Sequence, residues 1–570
     1  MRSVGLRGMS FMDVVVGTAL MLTVFLALSG LLRSSLVVVS LAKNKSIATA
    51  VAESQMEYVR SLTYDAVGTA GGIPSGNIPQ YATTTSNGID FATRTYIEYV
   101  DDPKDGLEGA DETGITTDYK RIKVTVSYVA GGRQFAIDLV SNYAPPALET
   151  STGGGTLRID VVNASGAPIP GASVHIENPS ISPAVDLVAF SNASGIVYLP
   201  GAATSTDYRI SVSKDGYSTA ETYERNTTNQ NPAPGYLTVV KDQTTTGTFA
   251  IDVLTTLSLS TFTPVATSTW DDSFTDASGI GTQSNIEVSG GAVLLASSEL
   301  GYAESGSVSA IALTPDYLAG WKRAAIETSL PADTDVRFKV ANASGAPLPD
   351  SVLPGNSAGF TDEVDLSGVP KDTYPALTLV ATLATASNTV SPSLLAWSVE
   401  YQRGPVPLPN VTFSITGGKT TGSTGAGSSL YKTQTSTATN SLGLRVLSLE
   451  WDIYQIDIPS YDVVDACNTP PYTLAPGAEL EASLVLGEET TNALLVSVRS
   501  GGTSVAGAEV TLSRPGFSET VTTSACGAAY FGDLAAASDY SISASAEEET
   551  TVSASGVSVA DQTFYGLTFE

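Results

Sequence analysis

The sequence predicts an α+β protein in which one long N-terminal helix and a small antiparallel sheet precede a string of all-β sandwich domains. Three observations support this fold class. An apolar stretch near the N-terminus is long enough to cross a bilayer as a helix. Farther along, short segments alternate apolar and polar residues between turns rich in Gly and Pro, which is typical of strands. Several of these segments recur in a similar order, which indicates internal duplication.

Composition excludes several classes of function. Asp and Glu number 58 against 28 Lys and Arg, so no nucleic-acid partner is expected. The chain has one histidine, His175, and two cysteines, Cys467 and Cys526. They are too few for a histidine-dependent catalytic triad or for a zinc site built from several histidines or cysteines. No phosphate-binding glycine loop or nucleophile elbow is present. We therefore expect no enzyme and no cofactor, apart from a calcium ion that one acidic loop could bind.

The N-terminus carries the pattern of a membrane span. Residues 1–8 contain two arginines and end in Gly8, and residues 9–32 are almost wholly apolar with a single charge at Asp13. This stretch exceeds the roughly 20 residues that span a bilayer, and the basic leader would stay on the cytoplasmic side. A charge inside a membrane span is costly, so Asp13 needs a partner.

The helix is predicted to continue beyond the membrane. Ile47, Val51, Met56 and Val59 recur near helical spacing, and polar residues enter gradually between them. One helix over 9–65 follows from this pattern.

These N-terminal features resemble the type IV prepilin family, which includes the pseudopilins of type II secretion. The basic leader ending in Gly8, the new N-terminus at Met9 and the acid at Asp13 carry the resemblance. It implies cleavage by a prepilin peptidase after Gly8, methylation of Met9, and pairing of Asp13 with the α-amino group of Met9 in a neighbouring subunit. The family usually has Glu where this chain has Asp13. An ordinary signal anchor with an incidental acid is the alternative.

A small antiparallel sheet is predicted over 66–145. The segments 91–100 and 119–143 alternate apolar and polar residues, and Gly131-Gly132 provides a hairpin turn. A long helix followed by such a sheet resembles the pilin architecture.

An acidic segment at 101–114 lies between those strands. Asp101, Asp102, Asp105 and Asp111 could bind calcium through their oxygens, although their spacing does not match an EF-hand loop. A solvated acidic loop without a metal is the alternative.

Residues 151–255 resemble the carboxypeptidase regulatory-like domain, a small transthyretin-like β-sandwich. The resemblance rests on the motifs at Gly166–Val174, Asn192–Gly195 and Tyr208–Tyr217. The pattern recurs at 405–487 and at 488–570, so three such modules are expected.

Each of these modules contains a tyrosine in a late strand. Tyr208, Tyr454 and Tyr540 would pack their rings in the core and bond the backbone through their hydroxyls. The strands 157–162, 411–417 and 494–500 are taken as the first strands of the three modules.

Residues 266–404 predict a different unit, a jelly-roll-like β domain. Trp270, Trp321 and Trp397 could stack on a sugar, but an aromatic sandwich core is the favoured interpretation.

The remaining candidate side chains lie in the modules. Cys467 and Cys526 could form a disulfide in an oxidising exterior, linking the last two modules. His175 lies between Val174 and Ile176, so a half-buried or surface position on a strand is expected in place of a role as ligand or base.

Two functions follow. In the first, the chain is a minor, tip or decorating subunit of a type IV pilus or pseudopilus, held in the bacterial cytoplasmic membrane by one helix and then displayed in a cell-surface filament for adhesion. Its partners would be other pilin subunits, the prepilin peptidase, the membrane and a surface or carbohydrate ligand. In the second, it is a signal-anchored surface protein that binds polysaccharide through 266–404 and never enters a filament.

Overall fold

The structure confirms the fold class. A computed structural model shows one long apolar helix followed by mostly antiparallel β-sheets. Apart from the side chain of Asp13, it describes residues 11–104, 117–146, 153–547 and 549–569. The chain forms two compact units: unit 1 comprises Met1–Leu254 with Lys419–Lys432, and unit 2 comprises Thr255–Gly418 with Thr433–Glu570.

Unit 1 begins with a single continuous helix, Phe11–Arg60 (α1), and a short 3-10 helix follows at Tyr64–Ala66. With 50 residues, α1 is about 75 Å long, more than twice the apolar thickness of a bilayer. Its C-terminal part buries Ala48, Ala52, Met56 and Val59.

The buried face of α1 contains Met56 and Val59 but not the other two apolar residues whose spacing predicted the helix. Ile47 and Val51 are only partly buried, whereas Ala48 and Ala52 are fully buried. Alanine ends at Cβ, so the helix backbone can approach the sheet closely at these two positions. The larger β-branched neighbours then pack along the flanks of the contact.

A four-stranded antiparallel sheet in the order β1-β2-β3-β4 packs on this face of the helix. Two-residue turns connect its outer pairs, with positive φ at Asn87 and Gly88 and at Gly131 and Gly132. The second turn was predicted. The first was missed, although Asn-Gly is among the strongest hairpin signals. The strands are Tyr81–Ser86 (β1), Ile89–Val100 (β2), Tyr119–Ala130 (β3) and Arg133–Tyr143 (β4).

Module A, residues 153–254 of unit 1, is a two-sheet sandwich. One sheet has the order β13-β5-β8 and the other β10-β9-β6-β7, and alternating apolar residues of both fill one core. The strand Thr420–Ser423 of unit 1 pairs with β11. The strands of module A are Gly155–Val162 (β5), Ser173–Asn178 (β6), Val185–Phe190 (β7), Ile196–Ala202 (β8), Ser205–Ser213 (β9), Ala220–Glu221 (β10), Asn231–Pro232 (β11), Leu237–Val239 (β12) and Thr244–Ala250 (β13).

Unit 2 begins with the strand Thr255–Thr263 (β14), after which residues 264–404 form an inserted sandwich. One of its sheets contains β15, β17, β18, β22 and β24 around β26, and the other has the order β16-β21-β25-β23. The strands are Ala266–Asp272 (β15), Ile280–Ser284 (β16), Ile286–Val288 (β17), Val293–Leu295 (β18), Ser297–Ser298 (β19), Gly301–Tyr302 (β20), Ser305–Ala310 (β21), Leu318–Ser329 (β22), Thr334–Asn342 (β23), Glu363–Asp365 (β24), Leu377–Thr385 (β25) and Ser393–Arg403 (β26).

Module B combines β14 with residues 405–418 and 433–488. Strand β14 pairs with β32 and β36. The first strand of module B therefore precedes the inserted sandwich in the sequence, whereas the other strands of the module follow it. The prediction that 411–417 is this first strand is wrong, because β28 pairs with β31 and β33 in the other sheet. The strands after β14 are Val406–Pro407 (β27), Thr412–Gly417 (β28), Thr420–Ser423 (β29, in unit 1), Ser429–Tyr431 (β30, in unit 1), Gln434–Ala438 (β31), Leu444–Leu449 (β32), Asp452–Asp457 (β33), Tyr461–Ala466 (β34), Tyr472–Leu474 (β35) and Glu479–Glu488 (β36).

Module C, residues 493–569, repeats the same plan. Its first strand pairs antiparallel with β41 and parallel with the last strand, as β5 does with β8 and β13 and as β14 does with β32 and β36. The same pairing thus occurs three times within the described residues. The strands are Ala493–Ser500 (β37), Thr503–Ser504 (β38), Glu509–Arg514 (β39), Phe517–Thr522 (β40), Ala528–Phe531 (β41), Ala537–Ser545 (β42), Val552–Val559 (β43) and Gln562–Phe569 (β44).

Each module holds its late tyrosine in the core with the hydroxyl bonded to the backbone. The rings of Tyr208, Tyr454 and Tyr540 are at most 1% exposed. Their hydroxyls donate to carbonyl oxygens four or five residues upstream, at 2.8, 3.0 and 2.9 Å respectively. Burial raises the pKa of Tyr208 to about 12. The ring fills the core and the hydroxyl satisfies a loop carbonyl at the same time.

Removing one of these hydroxyls is expected to destabilise only the module that contains it. In Tyr208→Phe the carbonyl of Ala203 loses its donor, which should cost about 1–2 kcal/mol. Hydrogen exchange of β5–β9 would measure the loss, and exchange in module C serves as the internal control. Tyr81→Phe is the matched variant, because the side chain of Tyr81 is 60% exposed. Equal exchange in Tyr208→Phe and wild type would contradict a structural role for the hydroxyl.

Candidate functional site

The N-terminal part of α1 is an apolar surface without a partner within its unit. Val14–Leu32 contains no charged residue, and side chains are exposed on every side of the helix. Among the described residues, α1 is the helix long and apolar enough to cross a membrane. The large exposed side chains are Phe11, Met12, Val14, Val15, Val16, Leu20, Met21, Leu22, Val24, Phe25, Leu26, Leu28, Leu31, Leu32, Leu36, Val37, Val38 and Val39.

Two threonines inside this segment form hydrogen bonds from their hydroxyl groups to the backbone of the helix. Thr18 Oγ1 donates to the carbonyl oxygen of Val14 and Thr23 Oγ1 to that of Leu20, at 2.9 and 2.8 Å. Such bonds let a threonine sit in an apolar environment without an unpaired donor. The segment is therefore suited to a lipid bilayer or to a bundle of like helices.

The predicted processing residues precede or begin the described helix only in sequence terms. Gly8 and Met9 are outside the described residues, and Asp13 lies in the first turn of α1, its side chain also outside the description. Cleavage, methylation and the pairing of Asp13 thus stay predictions.

A buried lysine joins the end of the helical region to the sheet. Lys120 on β3 is 2% exposed, and its Nζ donates to the carbonyl oxygens of Tyr64 and Val67, both at 2.7 Å. The ammonium also lies 4.5 Å from the centre of the Tyr64 ring. Burial lowers the pKa of Lys120 to about 8.

The stability of the sheet on α1 should therefore rise between pH 8 and 10.5. The folded state gives up the Lys120 proton near pH 8, whereas the unfolded chain keeps it to the ordinary value of 10.5. The unfolded state binds more protons in that window, so the free energy of unfolding increases with pH, by at most about 3 kcal/mol. Relative to Lys120→Met, hydrogen exchange of β2 and β3 in the wild type should show rising protection across this range. Lys120→Met should lack this rise, and an identical pH profile in the variant would rule out Lys120 as its source.

The acidic segment is only partly within the described residues. Asp101 is 6% exposed and one of its oxygens accepts a hydrogen bond from the Tyr198 hydroxyl of module A at 3.0 Å. Asp118, which was not among the predicted calcium ligands, accepts a hydrogen bond from the amide of Asp102. Asp105 and Asp111 lie outside the described residues, so calcium binding stays a prediction.

Two of the three tryptophans of the inserted sandwich lie in its hydrophobic core, and the third packs against that core. Trp321 and Trp397 are 3% and 1% exposed, and Trp270 is partly buried with its ring 6.5 Å from that of Trp397. Trp321 Nε1 donates to the Tyr374 carbonyl oxygen at 2.8 Å. These positions agree with the core interpretation and leave two of the three rings out of reach of a sugar.

Modules B and C are joined by a disulfide and by a buried polar network. Cys467 and Cys526 form a disulfide with their Cα atoms 4.4 Å apart. Nearby, the carboxylate of Asp462 is buried and accepts bonds from the Thr490 amide, the Thr490 hydroxyl and the Tyr530 hydroxyl, at 2.9, 2.7 and 2.7 Å. Burial raises the pKa of Tyr530 to about 12.

This network was not predicted from the sequence, because its members lie far apart in the chain. Asp462 and Tyr530 are 68 residues apart, and nothing in the local pattern distinguishes Asp462 from the many exposed acids.

His175 lies on β6 and is partly exposed, in agreement with the predicted surface position. Its Nε2 is 2.8 Å from Asp186 Oδ1 and 4.0 Å from Glu177 Oε1. Glu177 lies two residues from His175 in the sequence. Asp186 is brought close to His175 by the pairing of β6 with β7.

Comparison with known proteins gives no family. The sequence matches no protein-family model and none of the curated proteins with which it was compared. Among solved structures, the TIE protein of Bacillus anthracis is 10% identical, with 87% of this chain and 74% of that chain covered and a TM-score of 0.15. The major pilin subunit BcpA of Bacillus cereus is also 10% identical, covering 73% and 99%, with a TM-score of 0.13. The shaft pilin SpaA of Lactobacillus rhamnosus GG is 11% identical, covering 29% and 89%, with a TM-score of 0.12. Scores this low do not define a shared overall fold, so these likenesses assign no function to the chain.

Proposed function

We propose that this chain is a prepilin-like subunit that is stored in the bacterial cytoplasmic membrane and then assembled into a type IV pilus or pseudopilus. The observation that carries the proposal is the two-part character of α1. Its first part exposes apolar side chains on all sides, and its second part packs one face on a four-stranded antiparallel sheet. One rigid helix thus connects a segment suited to lipid or to a helix bundle with a folded body.

The proposed chemistry of assembly involves the residues at the N-terminal end of the apolar segment. A prepilin peptidase would cleave after Gly8 and methylate Met9, which leaves a positive amino group four residues before Asp13. An unpaired carboxylate within a bilayer costs about 2.5–3.5 kcal/mol on insertion scales. Pairing with the amino group of a neighbouring subunit would offset that cost and fix the axial position of one helix against the next.

The β-sandwiches would be displayed outside the filament core. About 420 residues follow the pilin-like part, a load that favours a minor, tip or decorating subunit over the principal repeat. We assign modules A, B and C to the carboxypeptidase regulatory-like class and give them the role of a stalk for surface adhesion. The excess of acidic side chains supports solubility of such a stalk. No reaction is assigned to the chain.

The alternative of an anchored polysaccharide-binding protein keeps the helix but predicts neither cleavage nor filament entry. Its proposed sugar platform is weakened because Trp321 and Trp397 belong to the core of the inserted sandwich.

Intact mass and N-terminal sequencing of the native protein test the proposal. Material from sheared surface filaments is expected to begin at N-methylated Met9. A chain that begins at Met1 and is found only in membranes would contradict the proposal and favour the anchored alternative.

Substitution of Asp13 separates assembly from cleavage. Asp13→Asn should still be cleaved but be lost from the sheared fraction, since its side chain carries no charge to pair. Asp13→Glu is the matched control and should remain in filaments. Equal recovery of both variants would argue against the pairing of Asp13 with Met9.

A further inference from the structure

A cluster of three side chains that could hold a metal ion lies on the surface of module A. Two of them, His175 and Glu177, alternate on β6 and therefore point to the same face of the sheet. The third, Asp186, lies on β7 directly opposite Glu177 in the strand register. Cross-strand neighbours on one face have their Cβ atoms about 5 Å apart, so all three side chains converge.

The ligand atoms lie near the separations that a tetrahedral site requires. A tetrahedral zinc with bonds of about 2.0–2.1 Å places its ligand atoms about 3.3 Å apart. The Nε2 atom of His175 lies 2.8 Å from Asp186 Oδ1 and 4.0 Å from Glu177 Oε1, and the three atoms lie within 4.8 Å of one another. These values bracket the required separation. Small rotations of the three partly exposed side chains would equalise them.

The backbone of Asp186 is held firmly, which fixes the side of the sheet to which its carboxylate points. Its amide donates to the carbonyl oxygen of Gly71 at 2.8 Å, and its carbonyl oxygen accepts a bond from Gln80 Nε2 at 2.6 Å. Both partners belong to the loop between α1 and β1. A ligand whose main chain is already ordered loses little entropy when it binds a metal.

The charge of the cluster also favours a cation. Two carboxylates face one imidazole, and the basic residue opposite Glu177 on the other neighbouring strand is Arg209. The guanidinium of Arg209 is paired with Asp207 at 3.3 Å and lies over the Tyr236 ring. It is therefore already engaged by an acid of its own strand.

We propose that His175, Glu177 and Asp186 form a binding site for a divalent transition metal ion, with Zn²⁺ as the best match. One imidazole nitrogen and two carboxylate oxygens make a three-ligand set, and the exposed side of the cluster leaves the fourth position to water. Imidazole selects zinc over calcium, which prefers oxygen ligands only. The bound ion would clamp β6 to β7 at the point where β7 is bonded to the loop between α1 and β1.

Metal titration of the full chain tests this site. The chain is purified in detergent micelles with a tag that contains no histidine, and ZnCl₂ is added in a calorimeter at neutral pH. One zinc ion per chain is expected to bind, and His175→Ala and Asp186→Asn should each weaken binding by about tenfold or more. Asp335→Asn, which alters an exposed acid paired with Arg337 in unit 2, is the matched control and should bind as the wild type does.

A spectroscopic measurement identifies the ligand. His175 is the one histidine in the chain. The electron paramagnetic resonance spectrum of Cu²⁺ bound at this site should therefore show hyperfine coupling to a single imidazole nitrogen. This coupling should vanish in His175→Ala. The absence of zinc binding, or equal affinity in wild type and His175→Ala, would overturn the proposal. Copper bound without imidazole coupling in the wild type would overturn it as well.

Discussion

Replacing Trp397 by alanine is expected to destabilise the inserted sandwich by about 3–5 kcal/mol. The ring is 1% exposed, lies on β26 in the middle of the larger sheet, and contacts Phe274 edge-on with the ring centres 5.2 Å apart. Its removal leaves a cavity between the two sheets that the surrounding strands cannot fill. Hydrogen exchange of β22, β25 and β26 would report the loss, and modules B and C should keep their protection.

Two controls separate a core role from a ligand role. Trp397→Phe keeps an aromatic ring and should restore much of the lost stability, whereas Trp270→Ala removes a ring that is only partly buried and should cost less. A Trp397→Ala protein of unchanged stability that lost binding to a polysaccharide would identify the ring as a ligand platform and contradict the core assignment.

A chain that begins at Lys43 should leave the membrane fraction entirely and be soluble without detergent. This truncation removes the exposed apolar set of α1 but keeps Ala48, Ala52, Met56 and Val59, which are the residues that pack on the sheet. The sheet and all three modules are therefore expected to fold as before. Membrane flotation followed by circular dichroism of the soluble fraction measures both expectations.

A chain that begins at Phe11 is the matched control, because it lacks the leader but keeps the whole described helix. It should float with the membranes. If the chain that begins at Lys43 also floated, another part of the protein would have to bind lipid, and α1 would not be the sole anchor.

The parts of the fold that depend on local pattern were predictable from sequence. The length of α1 follows from an apolar stretch that is continued by apolar residues at near-helical spacing, and the turn at Gly131-Gly132 follows from two residues that readily adopt positive φ. The late tyrosines were also identified, because Tyr208, Tyr454 and Tyr540 recur at equivalent places in the repeats.

Pairings between distant segments were not predictable in this way. The strand β14 belongs to module B although residues 264–404 intervene, and an apolar alternating strand carries no mark of its partner. The same limit applied to the candidate sites. Asp186 meets His175 only through the register of β6 with β7, and Asp462 meets Tyr530 only where two modules touch.

The parallel pairing of first and last strands has a mechanical consequence for modules A, B and C. Because these strands run in the same direction, the chain enters each module at one end of the pair and leaves it at the opposite end. Tension along the chain therefore slides the two strands past each other and loads every hydrogen bond between them at once. In module C that clamp extends from Ala493 and Gln562 to Ser500 and Phe569, so a pulled chain must break the whole ladder together before this module can extend.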